Sequence, residues 1–309
     1  MSGYAALFPG QGSQHVGMGV ELVEAFPAAR EVFQRADGLL GFALSELCWA
    51  GPEEELVRTE NAQPAILVHS YAVWSVVREA LAGRVRFAAG HSLGEFTAYA
   101  AAGSLQFEDA VRLVRRRGEL MAAAREGTMS AVVGLEASVV EGICRKVSGE
   151  AGVVVAANYN SPQQIVISGD VDAVGKAAEL AKESGAKMVR NLPVSGAFHS
   201  PLMEGAEAGL RAELDEVDFH DPNFPIVSNV TAEAITEAHT ARENLVRQLT
   251  APVRWSEAIQ RIAGEGVGRF VELGPGKVLT GLLKRIDRGL EGREIGKPED
   301  IGRLGEGGS

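Results

Sequence analysis

The sequence predicts an α/β fold: an α/β-hydrolase-like large domain with a mainly parallel sheet and an inserted ferredoxin-like small subdomain. Three observations carry this expectation. Short apolar runs alternate with segments of helical periodicity along most of the 309 residues, as parallel strands covered by helices require. The pentapeptide Gly90-His91-Ser92-Leu93-Gly94 stands between an apolar run and a helical run, the strand-turn-helix setting in which a G-x-S-x-G motif carries a nucleophile. The middle of the chain changes to the order β-α-β-β-α-β, complete within about 65 residues.

Taken in order, Ala5 to Phe8 reads as a first strand ending in the loop Pro9-Gly10-Gln11-Gly12-Ser13. Ala62 to Leu81 reads as a long, mostly buried helix, and Val85 to Ala89 as the strand feeding the Ser92 turn. Glu95 to Ala102 and Phe107 to Ala124 follow as helices. Strands are expected at Met129 to Gly134, Val153 to Ala157, Gln164 to Ser168 and Ala186 to Leu192, with helices at Ser138 to Val147 and Ala173 to Ser184. Beyond them, Pro225 to Val230 and Arg269 to Leu273 read as further strands, and Trp255 to Ala263 and Lys277 to Ile286 as helices. The expected division is a large domain of 1–127 and 193–287, an insert of 128–192, and a disordered tail of 288–309 rich in Gly, Glu, Lys and Arg. An insert of this kind leaves a cleft between two bodies, a common place for a substrate.

Hydrophobic residues make up 46% and charged residues 23% of the chain, the composition of an ordinary globular protein. The start, Met1-Ser2-Gly3-Tyr4-Ala5, lacks the basic and apolar regions of a signal peptide. The most apolar long stretch, Ala62 to Val77, is interrupted by Gln63, Pro64 and His69. Neither membrane insertion nor export is expected, and the location expected is cytoplasmic. Cys48 and Cys144 are far apart, without metal-like or redox spacing, so buried thiols and no metal are expected. A net charge of −11 argues against general binding to nucleic acid or to an anionic membrane. The absence of heptads makes a monomer the default.

A serine nucleophile needs a base. Among six histidines, His199 has the most suitable setting, just before Ser200-Pro201, which reads as an N-cap and first helical residue. Imidazole can take a proton from Ser92 and return it near neutral pH; the alternative is packing at a helix entrance. His91, adjacent to Ser92, suits support of the turn. In the helix after Phe107 the apolar stripe runs through Ala110, Leu113, Val114, Leu120 and Met121, which turns Arg117 inward. A guanidinium there requires an anion, either an internal carboxylate or one on the substrate. Arg115 and Arg116 fall on other faces and read as solvated. Neither glycine loop fits a nucleotide site: His15 stands where the third glycine of a dinucleotide fingerprint belongs, and Gly274-Pro275-Gly276-Lys277 lacks phosphate-loop spacing. A tight glycine loop at a strand end can instead offer an N–H to an oxyanion.

Phe8-Pro9-Gly10-Gln11-Gly12-Ser13-Gln14, Asn61-Ala62-Gln63-Pro64-Ala65, Gly90-His91-Ser92-Leu93-Gly94-Glu95, Arg117-Gly118, Gly196-Ala197-Phe198-His199-Ser200 and Glu272-Leu273-Gly274-Pro275-Gly276 occur in that order. Together they resemble the malonyl-CoA:acyl-carrier-protein transacylases of type II fatty acid synthesis and the related acyltransferase domains of polyketide synthases. The resemblance implies a ping-pong transfer in which Ser92 is malonylated, His199 is base and then acid, and Arg117 holds the free malonyl carboxylate. It implies an oxyanion hole from the amides of Gln11 and Leu93, and Gln248 orienting His199 through its main-chain or amide oxygen. Gln63 and Asn160 would line the same cleft, and Phe198 is the residue of members selective for malonyl over methylmalonyl. No cofactor is implied beyond the CoA thioester and the carrier's phosphopantetheine. Since such carriers are acidic, Arg116, Lys187, Arg190 and Lys277 are expected to form the docking surface. A stand-alone polyketide acyltransferase, a serine thioesterase or esterase, and a non-catalytic binding scaffold are the competing readings.

Overall fold

The structure, a computed structural model, describes residues 3–124, 127–194 and 196–303. Ten strands form two sheets: β1 (Tyr4–Phe8), β2 (Val85–Gly90), β3 (Thr128–Val133), β4 (Val154–Ser161), β5 (Gln164–Gly169), β6 (Met188–Asn191), β7 (Ile226–Val227), β8 (Ala234–Ile235), β9 (Arg269–Leu273) and β10 (Glu291–Ile295). The six-stranded sheet has the order β10-β9-β1-β2-β7-β8. All its pairings are parallel except the β7–β8 hairpin at one edge.

β1 explains why this sheet is sandwiched. Tyr4, Ala6 and Phe8 point into one apolar cluster, and Ala5 and Leu7 into another, as the two-residue period of a strand requires. On the first side pack the helices Thr59–Val77, Gly94–Ala101 and Phe107–Ala122; on the second pack Trp255–Gly264 and Val278–Ile286. A strand buried on both faces reads as continuously apolar, which is why β1, β2 and β9 are visible in the sequence.

The four-stranded sheet, order β4-β5-β3-β6, is antiparallel throughout, and its chain order is the ferredoxin-like one. Val132, Ile165 and Ile167 pack under its two helices, Ala137–Ala151 and Val171–Glu183, whereas Met129, Ala131 and Val166 join the cluster of the large body. Backbone hydrogen bonds Tyr159 N–H to Val253 O and Val253 N–H to Ala157 O, both 2.8 Å, stitch β4 to the large body.

Four expectations are corrected. The helix expected from Ala62 begins at Thr59 and ends at Val77. Pro64 within it cannot donate to the Glu60 carbonyl four residues back, and Arg115 Nη1 donates there instead at 3.2 Å, so Arg115 is engaged rather than solvated. The strand expected over Pro225 to Val230 is confined to Ile226–Val227, because Asn229 leaves the ladder, its N–H donating to Glu95 and its carbonyl accepting from Arg254 N–H. Residues 288–303 are not a disordered tail. β10 adds to β9 in parallel and a short helix, Pro298–Gly302, follows; the remaining 304–309 lie outside the described residues.

Candidate active site

β2 runs into a turn at Ser92, whose φ of 51° is left-handed, and the helix Gly94–Ala101 begins two residues later. The flanking glycines are steric necessities. A Cβ on Gly90 would lie 1.9 Å from the Gly94 carbonyl carbon, and one on Gly94 2.2 Å from the Phe8 carbonyl oxygen. Such strain persists only where neighbours over-determine it. Here Asn229, just past β7, accepts from the Ser92 N–H at 2.7 Å and donates from Nδ2 to the Gly90 carbonyl at 2.7 Å.

His199 is also left-handed, with φ 58°, and Ser200 after it caps the next turn by accepting from Leu202 N–H at 3.3 Å. Its Nδ1 is 2.8 Å from the Gln248 main-chain oxygen and its Nε2 2.8 Å from Ser92 Oγ. A carbonyl only accepts, so Nδ1 carries the hydrogen and Nε2 presents a lone pair to the serine O–H. Burial, and then the nearby Arg117 charge, push the imidazole down to about 3. It is therefore neutral, the form a general base requires.

Arg117 is 1% exposed, as the helical stripe demanded. Nη1 donates to Gln63 Oε1 at 2.7 Å, and Nη2 to Gln248 Oε1 at 2.9 Å and to Ser92 Oγ at 3.1 Å. These partners are two amides and a hydroxyl, with no carboxylate among them. Burial draws its pKa down to about 9, so it remains a cation at neutral pH. Gln63 is fixed in turn by donating Nε2 to Met121 Sδ at 3.3 Å. Gln248 thus has two jobs. Its backbone carbonyl meets His199, while its amide meets Arg117, the Ser92 carbonyl (3.0 Å) and Glu95 (2.7 Å).

A cleft of about 270 Å³ opens over Ser92, with Gln11 and Leu93 on one side, Met129, Val166 and Leu192 of the small sheet opposite, and Phe198 beside His199. Among the described residues, the N–H groups of Gln11 and Leu93 have no backbone acceptor, so both can serve an oxyanion. Gly196 leaves room for the Phe198 ring, which a Cβ would approach to 2.2 Å. Asn160 reaches in from β4 and accepts from His91 Nε2 at 2.8 Å, a bond between the segment that carries Ser92 and the small sheet. A broader groove of about 960 Å³ adjoins the cleft, sharing Gln164 and Leu192 with it; Arg190, Lys284, Arg285 and Arg288 line it. Of the basic residues expected to meet a carrier, only Arg190 lines that groove; Arg116 is engaged by Glu213 and Glu119.

Asn229 and Glu95 hold the site together and were missed as site residues. The one available signal was the polar pair Ser228-Asn229 breaking an apolar run. Among the described residues no helix is long and apolar enough to cross a membrane.

A half-buried serine on a left-handed turn, a buried histidine 2.8 Å from its hydroxyl, two N–H groups without a backbone acceptor among the described residues and a buried guanidinium facing the same hydroxyl are the parts of an enzyme of acyl transfer through a serine ester. The acyl transferase domain family matches residues 6–301. The chain is 48% identical to the malonyl CoA-acyl carrier protein transacylase of Bacillus subtilis, over 97% of this chain and 96% of that one. A crystal structure of malonyl-CoA:acyl carrier protein transacylase from Xanthomonas oryzae superposes with a TM-score of 0.95 at 44% identity, covering 99% and 98% of the two chains. So does a malonyl-transacylase in complex with its holo type II polyketide acyl-carrier protein, with a TM-score of 0.95 and 40% identity over 99% of each chain. The chain therefore belongs to the acyl transferase family, among its malonyl CoA-acyl carrier protein transacylases.

Proposed function

We propose that this protein transfers malonyl groups from malonyl-CoA to the phosphopantetheine thiol of an acyl carrier protein, in fatty acid synthesis, through a malonyl-Ser92 ester. The observation that carries the reading is the Arg117 cation standing 3.1 Å from the hydroxyl that would be acylated, with no carboxylate among its partners. An acyl group on Ser92 that ends in a carboxylate supplies an anion in direct contact with the guanidinium, and an acetyl group does not. This also separates the reading from a simple esterase, which has no use for a buried cation beside its nucleophile.

In the forward half-reaction His199 Nε2 takes the Ser92 proton as Oγ attacks the thioester carbonyl. The negative charge that develops on the carbonyl oxygen meets the Gln11 and Leu93 N–H groups, and the thiolate of CoA leaves with the proton from His199. The carrier's thiol then repeats the sequence against the serine ester. Gln248 replaces a carboxylate as the partner of Nδ1, so the imidazolium is stabilised by a carbonyl dipole alone; a thioester, easier to cleave than an amide, tolerates this.

The basic groove beside the cleft, with Arg190, Lys284, Arg285 and Arg288, supports an acidic carrier as the second substrate. Residues 128–192 act in this reading as a separate subdomain that roofs the cleft, and a cytoplasmic monomer without bound cofactor completes it. The test is a partition: malonyl-CoA is mixed with enzyme and holo carrier protein, and malonyl-carrier and free malonate are counted. Transfer exceeding hydrolysis is expected; free malonate released faster than malonyl-carrier forms would make the protein a thioesterase.

A further inference from the structure

Glu95, the second residue of the helix that starts at Gly94, is completely buried. Its Oε2 accepts from Gln248 Nε2 at 2.7 Å and from Asn229 N–H at 3.2 Å. On the far side of the same Gln248 amide, Oε1 accepts from Arg117 at 2.9 Å. One neutral amide therefore stands between the buried anion and the buried cation of the site. Two opposite charges in one water-free region stabilise each other without touching, and the amide dipole between them is turned to suit both.

The charges do not balance once substrate is bound. With a carboxylate-bearing acyl group on Ser92, the region holds one cation and two anions, and the group best able to relieve this is the one that can be protonated. We propose that Glu95 is the counter-charge to Arg117 in the free enzyme, coupled to it through Gln248, and that it takes up a proton when a carboxylate-bearing acyl group pairs with Arg117. Glu95 is in this sense a positioning residue, since it acts on the substrate only through Gln248 and Arg117. The inference rests on the proposed pairing of Arg117 with the malonyl carboxylate.

The surroundings fit. Arg117 is the cation that faces Glu95, and Tyr99 is the titratable group nearest along its own helix; Ser228, Asn229 and Gln248, which face it from the end of β7 and from the segment after the helix Ala238–Arg247, are all neutral. Burial lifts the carboxyl up to about 7, against the pull of those donors and of Arg117. A folded-state value above that of a free carboxyl means the proton is held below about pH 7 and lost as pH rises through it. Malonyl binding is consequently favoured at the lower pH.

The experiment is rapid mixing of stoichiometric enzyme with malonyl-CoA in a weakly buffered pH indicator near pH 7.5, with the adduct on Ser92 counted by mass. Acylation is proton-neutral in itself: the serine O–H and thioester C–S bonds break, and the ester C–O and thiol S–H bonds form. The expected uptake is about half to three-quarters of a proton per malonyl-Ser92, with none for acetyl-CoA. Glu95→Gln keeps a shape that accepts from Gln248 and should still be malonylated, without the uptake. For the wild type alone, the ratio of malonyl to acetyl kcat/KM should fall about threefold to tenfold per pH unit above 7; the CoA phosphates titrate identically in both substrates and cancel. Malonyl-Ser92 formed with no uptake, an unchanged uptake in Glu95→Gln, or a flat wild-type ratio would overturn the proposal. Failure of the parent reading is distinct: Arg117→Ala would then be malonylated as readily as the wild type.

Discussion

The two sheets meet at one cleft and contribute different things to it. Every side chain within hydrogen-bonding distance of Ser92, namely His199, Arg117, Asn229 and Gln248, comes from the body built on the parallel sheet. The antiparallel sheet supplies Met129, Val166 and, just past β6, Leu192 to the wall, with Asn158, Asn160 and Gln164 beside them, and Asn160 bonds His91 next to the serine. The contrast follows from construction. Parallel strands buried on both faces end together, so the loop after β1, the turn after β2 and Asn229 after β7 converge with little freedom. The small sheet buries one face under its own helices and turns the other toward the cleft. It can shape access to the serine without disturbing the geometry that activates it, and substitutions in the two bodies should fail differently.

The sharpest break is Ser92→Ala, which should abolish the acyl-enzyme and lower transfer on the order of 10⁶-fold. Its thermal unfolding midpoint should stay near that of the wild type, since one hydroxyl with other partners is removed. Next, Arg117→Ala should cost malonyl transfer about 10² to 10³-fold more than acetyl transfer, read as the ratio of the two single-turnover rates. Equal losses would mean that the guanidinium is structural.

Asn229→Ala tests whether the large body's precision lies in the pinned turn. It leaves the Ser92 N–H and Gly90 carbonyl unpaired, at about 1–3 kcal/mol for a buried group. Both a lower unfolding midpoint and slower acylation are expected, measured by calorimetry and rapid quench. The smallest effect belongs to the groove beside the small sheet. Arg190→Glu with Arg288→Glu should raise KM for carrier protein about tenfold at low salt, with the difference fading as salt screens it, while acylation by malonyl-CoA keeps its maximal rate.

Legibility in the sequence divides along the same line. The turn could be read because two glycines at fixed spacing are a steric requirement, and Arg117 because a charge inside a helical apolar stripe has one direction to point. The strands buried on both faces announced themselves as apolar runs, and the insert by its element order. Gln248 is different. That its carbonyl serves His199 while its amide serves Arg117 depends on a junction of three segments far apart in the chain, and no local pattern encodes it. Asn229 was hidden inside a run that looked like the rest of a strand. β10, Glu291-Gly292-Arg293-Glu294-Ile295, carries a single buried apolar residue, Ile295; an edge strand needs only backbone pairing, so its polar sequence resembled a tail.

The central claim is that Ser92, activated by His199 and faced by Arg117, carries the acyl group. Intact-protein mass spectrometry after brief mixing with malonyl-CoA or acetyl-CoA, followed by peptide mapping, tests it most directly. A single malonyl adduct on Ser92, formed in preference to acetyl and discharged by holo carrier protein, is the predicted result. A stable adduct mapped to any other residue, or carrier protein malonylated by folded enzyme bearing Ser92→Ala, would contradict the account.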